Sequence, residues 1–141
     1  MKRLLMAFTA VLLLPVAAFG LDPELARVVT YKENVAECLA PVSIKTIDGE
    51  NRMLPNFGFD IEPGWHTMHG TTTVNLKHCP VNEERIRKKV NVPPLEWLFE
   101  AGKIYYVGFD HSSPMRDNWR LVVWKVESME DFSEEDEANG D

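Results

Sequence analysis

Short runs of β-branched and aromatic residues, separated by turn-forming residues, are the feature that most constrains the fold of this chain. In the run that contains Tyr105, Val107 and Phe109, the apolar side chains share one face, which is the two-residue period of a strand. The predicted strands are residues 27–31, 42–47, 57–61, 66–78, 95–99, 103–110 and 119–127. Strands this short and closely spaced are typical of an antiparallel sandwich or barrel. The sequence therefore predicts an all-β fold, a small antiparallel β-sandwich of about seven strands.

Turn-forming residues predict how these strands connect. Asp48-Gly49 follows the second strand and accepts the positive φ angles of a tight turn. Pro63-Gly64 stands between the third and fourth strands, where a type II turn needs these two residues. The third and fourth strands are therefore expected to form a hairpin. Ala101-Gly102 is expected to turn the chain between the fifth and sixth strands.

The two ends of the domain have patterns of their own. Asp22 and Pro23 are suited to the N-cap and first position of one short helical turn. The last strand carries apolar residues on both faces, which predicts a central position or an interface. After it, residues 128–141 are strongly acidic and poor in apolar residues, so this tail is expected to be disordered.

The first twenty residues have the order of a secretory signal peptide. Lys2 and Arg3 precede an apolar run at 4–18, and Ala18-Phe19-Gly20 provides small residues for cleavage. A membrane anchor is the alternative, but a spanning helix needs about twenty residues, and this run is shorter and contains Pro15. The expected organisation is a signal peptide at 1–20, a sandwich domain at 21–127 and a tail at 128–141. The mature protein is expected to be periplasmic or secreted, without a transmembrane segment.

Charge argues against nucleic acid as a partner. The formal net charge of the chain is −7, and eight of its acidic residues lie within 127–141. The remaining domain is nearly neutral, whereas nucleic-acid binding requires a basic face that displaces counterions.

Export also determines the interpretation of the two cysteines. An oxidising compartment favours a disulfide over two free thiols, so Cys38 and Cys79 are predicted to be bonded. In the chain-entropy model, closing a loop of this length stabilises the fold by about 4 kcal/mol.

Two segments resemble small exported proteins of the bacterial envelope. These are Ile61-Glu62-Pro63-Gly64-Trp65-His66-Thr67 and, later, Phe99-Glu100-Ala101-Gly102-Lys103-Ile104-Tyr105-Tyr106-Val107. Proteins of this group are similar to one another in a Pro-Gly turn, a histidine-containing strand and an Ala-Gly-Lys turn into a tyrosine-rich strand. The resemblance spans residues 42–106 and implies an immunoglobulin- or PEGA-like β-sandwich. It implies no catalytic residue.

One cluster has the side chains of a metal site. Imidazole, thioether and thiolate ligands suit copper or zinc, and His66, Met68, His69 and His78 lie close together in the sequence. In a strand, however, His66 and Met68 point to one side and His69 to the other. The alternative interpretation is that His66 caps the preceding turn and Met68 fills the core.

The residue types of a hydrolytic triad occur together in Asp110-His111-Ser112-Ser113. A triad is assembled across space, and adjacent residues rarely converge on one substrate atom. We interpret the segment as a loop in which aspartate and serine bind the local backbone. No catalytic residue and no cofactor are predicted.

Two features are suited to a binding partner. Arg85, Arg87, Lys88 and Lys89 concentrate positive charge, which attracts acidic partners, or alternatively protects an edge strand from aggregation. Trp65 follows a turn, where a large ring is partly exposed and can anchor an envelope protein or a glycan.

These features favour a non-enzymatic, exported binding or accessory module of the bacterial cell envelope. A periplasmic copper- or zinc-binding protein that uses the His/Met cluster is the alternative.

Overall fold

The computed structural model describes residues 20–74, 79 and 93–132. Its strands are β1 (Ala26–Val29), β2 (Leu39–Ala40), β3 (Ser43–Ile47), β4 (Glu50–Asn51), β5 (Phe59–Ile61), β6 (Gly64–Thr71), β7 (Leu95–Phe99), β8 (Lys103–Asp110) and β9 (Arg120–Ser128). Two short 3-10 helices, Val35–Glu37 and Arg116–Asn118, lie between strands. The all-β prediction is confirmed, and each predicted run contains a strand. The two-residue strands β2 and β4 were not predicted.

The strands form two sheets. Sheet A has the order β2-β8-β1-β5, with β9 on the other side of β8, and sheet B has the order β4-β3-β6-β7. β1 and β8 run parallel, whereas the other paired strands are antiparallel. One hydrophobic cluster, the inner core, takes buried residues from both sheets. Its largest fully buried side chains are Phe99, Ile47, Met68, Val28 and Val107.

The predicted hairpin between the third and fourth strands is wrong. β5 pairs with β1 in sheet A, whereas β6 pairs with β3 and β7 in sheet B. The two residues between them, together with Gly64 at φ 130°, take the chain across the sandwich. The physical reason is that Phe59, Ile61 and Met68 all point into the inner core, which strands on opposite sheets satisfy best.

The central position predicted for the last strand is also wrong. Among the described residues, β9 pairs with β8 alone and is an edge strand of sheet A. Its second apolar face packs against its neighbour in the sheet instead. The centre of the Trp124 ring lies 5.5 Å from that of the Tyr106 ring. The pairing of β8 with β9 shifts register between Tyr106 and Val107, opposite Trp124.

Local predictions at the turns fared better. Asp48 (φ 52°) and Gly49 (φ 81°) make the tight turn between β3 and β4, as predicted. Near the N-terminus, the Leu25 amide donates to the Asp22 carbonyl and the Glu24 amide to the Asp22 carboxylate, so Asp22 caps a turn. This turn does not continue into a helix.

Cys38 and Cys79 form a disulfide, as predicted, with their Cα atoms 6.1 Å apart. Cys38 ends the first 3-10 helix in the left-handed region at φ 58°. The bond attaches Cys79 to the chain directly before β2, whose residues pair with Phe109 and Asp110 at the end of β8.

Ordered structure continues past residue 127, into the first residues of the predicted tail. β9 includes Ser128, Met129 is buried, and residues 129–132 form a helical turn. The disorder predicted for the rest of the tail concerns residues 133–141, which are outside the described range. Within the described residues, no helix has the length and apolar character needed to cross a membrane.

Candidate functional site

The outer face of sheet A, which points away from the inner core, carries a groove. Arg27 and Val29 of β1 lie beside Ile104 and Tyr106 of β8, because the two parallel strands are in this register. With these side chains as its floor, the groove has a volume of about 750 Å³. That volume falls within the usual range for small-molecule sites, about 300–1,000 Å³.

Segments from both ends of the described chain form the walls of this outer groove. Leu21 and Pro23 line it from the N-terminal side, and Met129 and Phe132 from the helical turn after β9. Val29, Ile104, Tyr106 and Met129 are buried together in a second hydrophobic cluster, the outer cluster, separate from the inner core.

Gly102 holds both walls in place. Its amide donates to the Leu25 carbonyl at 3.0 Å, and its carbonyl accepts the Met129 amide at 2.9 Å. Its φ of 76° lies in the region that favours glycine. The sequence predicted the Ala101-Gly102 turn but not its attachment to the two walls.

Aromatic rings at the rim are exposed to solvent. Tyr31 is 52% exposed, Phe57 is 63% exposed, and both line the groove. In a regular strand over the predicted range 57–61, Phe57 would share a face with Phe59 and Ile61, but Phe57 is exposed whereas the other two are buried. Gly58 lies between Phe57 and Phe59 at φ 126° and breaks the alternation, because its lack of a Cβ lets the backbone approach the Val28 carbonyl.

Charges near the groove are mostly paired. Arg27 forms an ion pair with Asp60 at 3.1 Å. Glu127 accepts hydrogen bonds from Lys125 and from the Tyr106 hydroxyl. The Lys125 bond, followed by that of Tyr106, lowers the pKa of Glu127, so this carboxylate stays ionised.

The three described residues of the proposed metal site, His66, Met68 and His69, lie in different surroundings. Met68 is completely buried in the inner core, whereas His69 is exposed. His66 Nδ1 lies 2.6 Å from Asp48 Oδ2, and its Nε2 lies 2.8 Å from the Glu62 carbonyl oxygen. Both ring nitrogens of His66 are therefore used, in agreement with its predicted role at the turn. No group of three candidate ligands occurs among the described residues, which do not include His78.

Asp48 fastens the β3–β4 turn to β6. Its Oδ1 accepts the Thr67 amide at 2.9 Å, and its Oδ2 contacts His66. The bond from the Thr67 backbone, followed by that of His66, lowers the pKa of Asp48. His66, which was considered as a metal ligand, therefore helps to join the β3–β4 turn to β6.

Trp65 is exposed, as predicted, at 72%. It lies on the outer face of sheet B opposite Leu98, which is also exposed. The structure does not bring Trp65 near the outer groove, which belongs to sheet A. The basic residues Arg85, Arg87, Lys88 and Lys89 are outside the described range.

Asp110 is the last residue of β8, and the loop that was predicted here begins at His111. Asp110 Oδ1 accepts both the amide and the hydroxyl of Ser112, at 2.9 and 2.6 Å. His111 is 5% exposed and packs against Trp119, and its Nδ1 has no hydrogen-bond partner among the described residues. Burial lowers the pKa of His111 against the opposing effect of Asp110, so the imidazole is favoured in its neutral form. These three side chains do not form a proton relay.

The sequence prediction did not include the groove residues, because it considered only the face of β8 that carries Tyr105, Val107 and Phe109. Ile104 and Tyr106 alternate with Tyr105 and Val107, which produces a continuous apolar run. Such a run indicates a strand that is covered on both faces, and it was the available signal.

No family model, curated protein or solved structure matches this chain. The resemblance to exported envelope sandwiches therefore stays a prediction, and the function has to be argued from the residues of the outer groove.

Proposed function

We propose that this chain is a non-enzymatic, exported binding module of the bacterial cell envelope, and that it binds its partner in the outer groove. One observation carries the proposal: the sandwich buries a complete inner core between its sheets, yet it builds a second apolar surface outside that core. This surface is concave and encloses about 750 Å³. No residue of the described ranges fills this volume, and a ligand is the occupant that we propose.

The chemistry of the lining supports binding. Tyr31, Phe57 and Phe132 are large apolar side chains that remain exposed at the rim. Aromatic residues and methionine are enriched where proteins meet their partners, because they bury much area with little loss of side-chain freedom. Met129, in the wall, is flexible and polarizable and can adjust to the shape of a ligand.

The disulfide supports the exported location. Bonded cysteines persist in oxidising compartments and are rare in the cytosol. Together with the signal sequence predicted at 1–20, the Cys38–Cys79 bond favours a periplasmic or secreted protein. Mass spectrometry of the protein recovered from the periplasm or the medium tests this, since processing at the predicted site leaves Leu21 as the first residue.

Binding in the groove is tested with Nile red, an uncharged apolar dye whose fluorescence rises in dry surroundings. We expect saturable binding to the native protein and at least a fivefold loss of affinity in the double variant Tyr31→Ser/Phe57→Ser. Met53→Ser is the matched control, because Met53 is fully exposed and does not line the groove. Binding that is lost in Trp65→Ser but kept in the groove variant would place the site on sheet B and contradict the proposal.

A further inference from the structure

We infer that the ligand of the outer groove is a single amphiphile, an unbranched hydrocarbon chain with an anionic head group that lies at Lys32. This inference rests on the proposed function and specifies its ligand class. It follows from the hydrogen bonding of the groove floor and from Lys32, a charged residue of the lining that forms no ion pair within the described part of the chain.

The backbone amide and carbonyl groups of the groove floor are already used in strand pairing. β1 is paired on one side with β5 and on the other with β8, and β8 is paired in turn with β9. A bound peptide would have to leave its own amide and carbonyl groups without backbone partners on this surface, which is costly in an apolar site. Peptides that add to sheets do so at open strand edges. A hydrocarbon chain needs no such partners, so it fits a floor made of fully paired strands.

The side chains of the floor are suited to the same ligand. Val29, Ile104 and Met129 present aliphatic and thioether surface, and Tyr106 turns its hydroxyl away to Glu127. Burying apolar area here is favourable by about 25 cal/mol per Å².

Three charged residues line the groove, and two of them are committed elsewhere. Arg27 forms an ion pair with Asp60, and Glu130 also has an interaction partner. Lys32 has no carboxylate oxygen within 4.0 Å of its Nζ among the described residues. Lys32 acts on Glu127 electrostatically, but the bonded partners of Glu127 are Lys125 and Tyr106.

Lys32 is also placed where it can meet a head group at the rim. Its Nζ lies 5.5 Å from the centre of the Tyr31 ring, and both residues line the groove. A lysine ammonium is a mobile point charge with three donors, which suits a carboxylate or a phosphate. A ligand whose hydrocarbon chain covers Val29 and Ile104 and whose head group reaches Lys32 matches both the apolar floor and this positive charge.

The experiment measures displacement of bound Nile red by three amphiphiles of equal chain length, each below its micelle concentration. These are tetradecanoate, tetradecanol and tetradecyltrimethylammonium. We expect tetradecanoate to displace the dye at a concentration at least tenfold lower than the trimethylammonium compound. In Lys32→Met, the affinity for tetradecanoate should fall about fivefold to tenfold while that for Nile red is unchanged. Lys45→Met, an exposed lysine on sheet B, is the control and should behave as the unaltered protein.

The outcomes separate this inference from the proposed function. If Nile red does not bind, the groove is not a site and the proposed function fails. If the dye binds but the three head groups displace it equally, or Lys32→Met has no effect, the groove is a site and the ligand class is wrong. Vesicles of phosphatidylglycerol distinguish a membrane: lysine-dependent binding to vesicles, without binding of free tetradecanoate, would overturn the single-amphiphile assignment.

Discussion

The two faces of β1 and β8 are both apolar, yet they do different things. The inner face meets sheet B, and side chains such as Val28 and Val107 are completely buried there. Within the described ranges, the outer face meets residues 21–23, residues 129–132 and the Trp124 ring, which cover it incompletely and leave the groove. Burial by a second sheet produces a close-packed core, whereas burial by terminal segments leaves concave space. An apolar strand face therefore indicates a binding site only when the segments that pack against it are known.

The inner core should dominate stability. Phe99→Ala removes a fully buried ring that packs edge-on against Tyr105 at 4.9 Å, and it should lower the free energy of unfolding by about 3–5 kcal/mol. Denaturant unfolding measures this change. Its neighbour Leu98 points outward, so Leu98→Ala should cost less than about 1 kcal/mol. Equal losses would contradict the assignment of the two faces of β7.

The disulfide should support stability without shaping the groove. Cys38→Ala/Cys79→Ala should lower the free energy of unfolding by about 2–4 kcal/mol, because the unfolded chain regains the freedom of the closed loop. Since the bond lies at the β2 end of sheet A, Nile red affinity should stay within twofold in protein that remains folded. A parallel loss of dye binding would show that the groove depends on this distant bond.

Val28 and Val29 compare the two faces directly, because they are neighbours of the same type. Val28→Ala leaves a cavity in the inner core and should cost about 2–3 kcal/mol. Val29→Ala, on the groove floor, should cost about 1 kcal/mol, since the space beside it is already open. Denaturant unfolding of both variants is the measurement. Equal costs would mean that the outer cluster is packed as tightly as the core.

Acid should act on stability through His111. Burial lowers its pKa below the ordinary value of 6.5, so the unfolded chain binds the proton first as the pH falls. Stability from this group is complete above about pH 6.5 and decreases below it. His111→Phe keeps an aromatic ring against Trp119, and it should flatten the pH dependence of the unfolding temperature in this window. Asp48, whose pKa is lowered, contributes above its ordinary value of 3.8 and loses its contribution only at lower pH, which makes Asp48→Asn a control.

The rim should matter least to stability. Tyr31→Ser and Phe57→Ser alter exposed side chains and should change the free energy of unfolding by less than about 0.5 kcal/mol. The same variants should weaken Nile red binding strongly, as expected for residues that serve a ligand. A large loss of stability would instead assign these rings to the fold.

Much of the fold was predictable because strands and turns are local. The alternation around Tyr105 and the turn at Asp48-Gly49 depend on neighbouring residues. The two cysteines allow one intramolecular pairing. The hairpin prediction failed because Pro63-Gly64 turns the chain equally well within a sheet or between two sheets. Nothing local distinguishes these outcomes, since the inner core decides between them.

The candidate site was the least predictable part. Its floor comes from β1 and β8, which are far apart in sequence and meet through a parallel pairing. Phe57 faces the groove because Gly58 reverses the alternation, and no count of residue types shows this. His66 was correctly expected at its turn, but its partner Asp48 is known only from the folded chain.

The amino-acid sequence alone determined the class of fold and the positions of most strands, because period-two patterning and turn chemistry act locally. It also determined the disulfide, because two cysteines allow one pairing. Only the tertiary structure decided which apolar faces close on each other and which remain open. That choice depends on the combined burial of residues distant in sequence. It made the second apolar face of β8 part of a groove that is also lined by Lys32.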